Sequence, residues 1–187
     1  MISDRGYWVG AEAESQHHYD APLSAGLVAF LKAEDPSASV VDLGCGMGNY
    51  VKHFRSEGLR ADGFDGNPHT PTLTDGVCGI RDLAEPFVFD TPYDWVMSLE
   101  VGEHLPAKFE TVFLNNLHAN NRKGIILSWA VVGQGGHGHV NERNNDYIKG
   151  RMAALGYIND EAAERRLRSG ARLWWFRNTV MVFRRST

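Results

Sequence analysis

Cysteine is scarce in this 187-residue chain: Cys45 and Cys78 are the only two, too few for a disulfide framework, which points to a reducing compartment. Long hydrophobic runs are also missing. Crossing a bilayer takes roughly 20 consecutive apolar residues, and no stretch approaches that. The first residues, Met-Ile-Ser-Asp-Arg-Gly-Tyr, lack the basic segment and apolar core of a secretory leader. A soluble cytoplasmic protein without membrane contact is expected. Excess positive charge is absent too, since the formal net charge is −4. No global basic field draws the chain onto nucleic acid or anionic lipid, so nucleic acid is a disfavoured partner. The basic clusters at Arg165, Arg166 and Arg168 and at Arg184 and Arg185 read as solvated faces. The chain has no repeats or low-complexity tracts, and its length fits one domain with a substantial core. A homodimer is left open.

Glycine, by contrast, is plentiful and placed. The apolar stretch Val40-Val41-Asp42-Leu43 runs straight into Gly44, Cys45, Gly46, Met47 and Gly48. Glycines in a strand-to-helix turn permit positive φ and let a ligand touch bare backbone, and Cys45 is small enough to sit beside it. A dinucleotide site wants G-x-G-x-x-G. Here the third glycine is displaced to Gly48, and no Tyr-x-x-x-Lys pair follows, which disfavours a nicotinamide oxidoreductase. About twenty residues further on, the stretch Leu59 to Phe64 ends in Asp65-Gly66, the spacing of a ribose-binding acid in a βαβ unit. An aspartate capping its own Asp-Gly turn is the alternative for Asp65.

Two more segments follow in order: Gly79-Ile80-Arg81-Asp82-Leu83, and the run from Tyr93 through Ser98-Leu99-Glu100-Val101-Gly102-Glu103-His104-Leu105-Pro106. Together with D-L-G-C-G-M-G these resemble the motifs of the class I S-adenosylmethionine-dependent methyltransferases. The resemblance covers roughly residues 24–128. It implies a single Rossmann-like, doubly wound α/β domain with a seven-stranded, mostly parallel sheet whose last strand is antiparallel. It also implies a cofactor site built from Asp42, Gly44, Cys45, Gly46, Gly48, Asp65, Gly66, Asp82, Leu83, Leu99 and Glu100, with Asp82-Leu83 bordering the adenine. Residues 1–22 are expected as an arm or lid, with Trp8 or Tyr19 touching substrate, and residues 23–187 as the methyltransferase domain.

Apolar spacing predicts helices over Pro22–Glu34, from Tyr50 to near Gly58, from Pro106 to a closing Asn120–Gly124 segment, over Asn144–Leu155 and around Glu161–Arg168. Residues 66–77 are expected as loop, Gly124–Val132 as a buried strand, a short strand from Gly156, and 173–183 as a last strand. Gly133 to Asn141 is too glycine-rich for regular structure and is expected as a flexible loop at the active-site face.

Methyl transfer from a sulfonium requires the nucleophile to be held in line and, for a hydroxyl, its proton to be removed. Glu100, Glu103 and His104 are spaced i, i+3 and i+4, which puts them on one side if the chain turns helically there. The later glycine-rich loop adds His137 and His139. Two carboxylates with imidazoles suit Mg²⁺, Mn²⁺, Fe²⁺ or Zn²⁺. Glu-x-x-Glu-His resembles the metal-binding segment of ubiquinone-pathway O-methyltransferases and of plant small-RNA 2′-O-methyltransferases. That resemblance implies a metal on Glu100, Glu103, His104 and a loop histidine, His139; relatives without metal carry the same pattern. Without a metal, His104 is the expected general base, followed by His137 or His139. The expected reaction is methylation of an oxygen or nitrogen on a small molecule. RNA ribose or a peptide side chain as acceptor, and a non-catalytic S-adenosylmethionine-binding module, are the alternatives.

Overall fold

The computed structural model describes residues 2–9 and 17–186; the part of the expected N-terminal arm at residues 1 and 10–16 lies outside the described residues. The strands are β1 (Ser39–Leu43), β2 (Arg60–Asp65), β3 (Gly79–Ile80), β4 (Tyr93–Leu99), β5 (Asn121–Ser128), β6 (Tyr157–Asn159) and β7 (Met181–Arg185). The helices are α1 (Ala21–Glu34), α2 (Asn49–Ser56), α3 (Thr70–Leu73), α4 (Glu110–Ala119), α5 (Asn145–Ala154), α6 (Glu161–Gly170) and α7 (Phe176–Thr179).

Period-two alternation builds the three layers. Along β1, Val40 faces one side and Val41 the other; on β4, Trp95 and Met97 oppose Val96; on β5, Ile126 opposes Ile125 and Leu127. One face packs on Leu27 and Leu31 of α1, Phe54 of α2 and Leu167 of α6, and the other on Phe113 and Leu117 of α4 and Ile148 and Met152 of α5. The middle of each central strand is buried on both faces and apolar, as parallel sheets covered by helices require, while polar residues such as Asp42 and Ser98 come at the carboxyl ends. The strand order is β3-β2-β1-β4-β5-β7-β6, with β7 antiparallel to β5 and β6 and the other ladders parallel. This is the expected seven-stranded doubly wound sheet, and its order reverses between β1 and β4, where such sheets bind ligands.

Four boundaries differ from the sequence expectation, each for a local reason. The 66–77 segment contains α3, started by Thr70 Oγ1 donating to the Asn67 carbonyl at 2.7 Å. Only Asn120 caps α4. Asn121 already belongs to β5 and reaches back to donate from Nδ2 to the Leu117 carbonyl at 2.8 Å. At its other end β5 stops at Ser128 rather than Val132, because its partner β7 stops pairing at Leu127. The 173–183 run is not one strand: the Thr179 amide donates to the Trp175 carbonyl, closing α7 before β7 starts.

Candidate active site

A cavity of about 330 Å³ opens at the carboxyl ends of β1, β2 and β4, within the size range of small-molecule sites. Its floor is the turn after β1. The Gly44 and Cys45 amides both donate to the Phe64 carbonyl, tying this turn to β2. Gly44 has φ +89, and a side chain there would strike Val101. Both facts require glycine.

Of the residues expected at the cofactor, Asp42, Gly44, Cys45, Asp65, Gly66, Leu83, Leu99 and Glu100 line the cavity. Asp65 caps its own turn and faces the cavity. Oδ1 accepts from the Asn67 amide at 2.9 Å and Oδ2 from the Gly46 amide at 3.0 Å, leaving each oxygen one lone pair for a ligand hydroxyl. Gly46, Gly48 and Asp82 do not reach the wall. Gly46 is covered by the ring of His17, and Gly48 backs onto Cys78 and Thr74 as the N-cap of α2. Asp82 caps the Ala84 amide and forms an ion pair with Arg5, so it holds the N-terminal segment rather than bordering the cavity.

That segment closes the cavity from above. Ile2 and Trp8 pair as a small antiparallel bridge, Arg5 binds Asp82 and Glu85 and lies over the Phe109 ring, and the Tyr7 ring packs on Gly66. Trp8 stacks on His137 with ring centroids 5.2 Å apart. Tyr19 joins the lining, as do Trp174, Trp175 and Phe176 from the turn into α7.

The second end of the cavity gathers the ionisable groups. After β4 the chain makes two successive tight turns, His104 N to Val101 O and Leu105 N to Gly102 O, instead of a helix. Glu100 sits at φ +54, a strained backbone for a non-glycine residue that costs about 1–3 kcal/mol. It is held by its own partners: Oε2 accepts from Gln134 Nε2 at 2.7 Å and Oε1 from Thr179 Oγ1 at 3.1 Å. Burial pushes its carboxyl up, and hydrogen bonds from Gln134, Ser128 and Thr179 partly offset that.

Glu103, His104 and His139 form the cluster. One ligand atom from each lies within 4.8 Å of the others. Glu100 is not a member, and the four-ligand expectation becomes three because its carboxylate is committed to Gln134 and Thr179. Glu103 is fully buried, and among the described residues neither carboxylate oxygen has a hydrogen-bond partner of ordinary geometry. Burial, followed by the neighbouring Glu100 charge, pushes its carboxyl well up.

His104 Nδ1 is 3.2 Å from the Gly138 carbonyl oxygen, which can only accept, so Nδ1 carries the proton and Nε2 is bare in the neutral ring. Burial, then the facing His139, lowers its pKa from 6.5 to about 4. It is therefore neutral at physiological pH. The His104 and His139 rings meet edge to face at 4.9 Å. The loop bearing His137 and His139 is pinned by the Val140 and Asn141 amides, which both donate to the Glu103 carbonyl at 2.9 Å. Behind the loop, the buried carboxylate of Glu110 accepts from Asn141, Arg143, Tyr147 and Arg151. Sequence reasoning passed over Arg5, His17, Gln134, Glu110 and Glu142. No motif flags them, because each acts through a contact distant in sequence or across a loop.

Residues 15–128 match the family model described as a methyltransferase domain. A comparison with curated protein sequences finds no match. Solved structures share the fold. The magnesium protoporphyrin IX methyltransferase of Synechocystis PCC 6803 with bound SAH is 19% identical with TM-score 0.65, covering 87% of this chain and 81% of that one. SAM-bound CalS10, an amino pentose methyltransferase from Micromonospora echinaspora, is 14% identical with TM-score 0.64, covering 87% and 90%. The sugar N-methyltransferase KedS8 from Streptoalloteichus sp ATCC 53650 is 13% identical with TM-score 0.70, covering 89% and 88%.

Proposed function

From the premise that this chain belongs to the methyltransferase-domain family of class I S-adenosylmethionine-dependent enzymes, we propose that it methylates an oxygen or nitrogen of a small-molecule acceptor. The observation that carries the reading is His104, a neutral imidazole on the cavity wall whose Nδ1 proton is spent on Gly138 and whose Nε2 is bare. Small-molecule acceptors are named for the structurally similar porphyrin and sugar enzymes. Net charge −4 supports the same class over RNA. Two free, buried cysteines suit a reducing compartment such as the cytoplasm. Among the described residues, no helix is long and apolar enough to cross a membrane.

The cavity fits the adenosyl cofactor at its first end. Gly44 offers bare backbone, Asp65 keeps free lone pairs for ribose hydroxyls, and Leu83 and Leu99 supply apolar wall. S-adenosylmethionine supplies an electrophilic methyl carbon on a sulfonium. The chain's part is to orient the acceptor, to exclude water beneath the Arg5–Trp8 segment, and to remove one proton. His104 Nε2 takes the acceptor's proton as the oxygen or nitrogen lone pair attacks, and solvent later recovers it. The work of the second end is positioning and proton removal.

A divalent cation is the second reading, favoured by the unpartnered Glu103 carboxylate beside His104 and His139. These three residues would hold it, and it would lower the pKa of an acceptor hydroxyl. The mixed oxygen and nitrogen donor set suits Zn²⁺, Fe²⁺ or Mn²⁺ better than Mg²⁺.

The test is transfer of labelled methyl groups from S-adenosylmethionine into small-molecule extract, RNA and peptide fractions. Label in small molecules, lost in His104→Asn with S-adenosylhomocysteine affinity retained, supports the proposal. Label in RNA or peptide overturns the acceptor class. Cofactor binding with no transfer to any fraction makes the chain a binding module.

A further inference from the structure

Glu142 does not line the cavity, yet it touches the loop that does at three points. Its Oε1 lies 3.0 Å from His139 Nδ1 and accepts from the Gly135 amide at 2.8 Å, while Oε2 accepts from the Gly133 amide at 2.7 Å. Both carboxylate oxygens already take backbone amide protons, so Glu142 faces His139 Nδ1 as an acceptor. An acceptor cannot share Nδ1 unless Nδ1 bears the proton. The bare nitrogen of a neutral His139 is then Nε2. Gly136 leaves room for the ring, since the Cβ of any other residue there would collide with Nε2.

We propose that Glu142 is a positioning residue that locks His139 in the Nδ1–H tautomer, so that Nε2 is the nitrogen it offers to Glu103 and His104. The proposal rests on the proposed function, in which those residues form the reacting end. Both histidines of the cluster are then wired alike: His104 spends Nδ1 on the Gly138 carbonyl and His139 spends it on Glu142. Two bare Nε2 atoms result, suited to taking a proton or to ligating a cation, and the other tautomer of either ring would suit neither. Outer carboxylates commonly fix ligating or basic imidazoles in this way. The same side chain gathers the amides of Gly133 and Gly135, which would otherwise be free to turn the loop away.

The tautomer is directly readable. In the full chain labelled with ¹⁵N-histidine, long-range proton–nitrogen spectra at neutral pH assign His139, with His139→Gln identifying its signals. The expected result is Nδ1–H in the unsubstituted protein, a shift toward Nε2–H in Glu142→Ala, and restoration of Nδ1–H in Glu142→Gln, whose amide oxygen still accepts. Retention of the Nδ1–H form in Glu142→Ala overturns the proposal, as does an Nε2–H form in the unsubstituted protein. If Glu142→Ala fails to fold, Glu142→Asp, one methylene short of His139, is expected to show the same shift, and retention of Nδ1–H there is equally fatal. Calorimetry with S-adenosylhomocysteine on the same samples keeps the two ideas apart. Its affinity should change by less than about threefold in Glu142→Ala, and absence of binding in every sample overturns the cofactor reading while leaving the tautomer result standing.

Discussion

His104 and Glu103 are adjacent in sequence and titrate in opposite directions. His104, ordinarily 6.5, is lowered to about 4 chiefly by burial. Between those values the unfolded chain binds the proton and the folded chain does not, so this residue lowers stability as pH falls from about 6.5 toward 4. The full loss is about 3 kcal/mol. Proton titration by NMR should find His104 neutral at pH 5.5, and His104→Asn should flatten the decline of melting temperature over that interval; a His104 midpoint near 6.5 would contradict the burial argument. Glu103 carries the opposite penalty, because its carboxylate is buried with no hydrogen-bond donor of ordinary geometry among the described residues, and the nearby Glu103 and Ala130 amides only partly offset the burial. Glu103→Gln should hold or raise the melting temperature at pH 8 in EDTA, since the neutral amide removes a buried charge worth roughly 1–3 kcal/mol. It should also abolish any Mn²⁺ binding seen by relaxation enhancement. A drop of several degrees in EDTA would show that Glu103 has a favourable partner.

The elements that were legible in the sequence are those with strong local signals. Pro22 and the Leu23, Leu27, Phe30 and Leu31 stripe give α1, and Asp42 followed by spaced glycines gives the turn beneath the cavity. The glycine-rich 133–141 segment was legible as loop but not as an anchored one. Its order comes from Glu110, 31 residues upstream of Asn141, and from the Glu103 carbonyl. No local pattern encodes such pairings. Nor could spacing show that Glu100 would be taken by Gln134 and Thr179, which are brought in by a loop and by the α7 turn. Burial pushes the Glu110 carboxyl up, but hydrogen bonds from Tyr147, Arg143 and Asn141 outweigh it and leave it below the usual range. A depressed carboxyl stabilises above its unfolded pKa and loses that contribution as pH falls through its folded value. Glu110→Ala should therefore cost about 1–3 kcal/mol at pH 7 in denaturant melts, because it removes the acceptor shared by Asn141, Arg143, Tyr147 and Arg151, the two arginines being partly exposed. The deficit should shrink in acid. An unchanged midpoint would mean that the network does not anchor the loop.

For the whole molecule, sheet order places the turn after β1, the end of β2 and the end of β4 around one cavity, and the comparisons assign the chain to a methyltransferase family. This level was the most legible, because ordered motifs constrain topology even when identity with solved relatives is as low as 13%. The cavity wall beyond the motifs was the least legible, since Trp8, Trp174 and Trp175 reach it from opposite ends of the chain. The central claim is that this cavity grips an adenosyl cofactor. Titration calorimetry with S-adenosylhomocysteine tests it most directly, comparing the unsubstituted chain with Gly44→Val, whose side chain must adopt φ +89 and collide with Val101. The account predicts saturable binding in the former and at least about a hundredfold loss in the latter, with the melting transition retained. No heat at millimolar ligand, or equal affinity in both proteins, would contradict it.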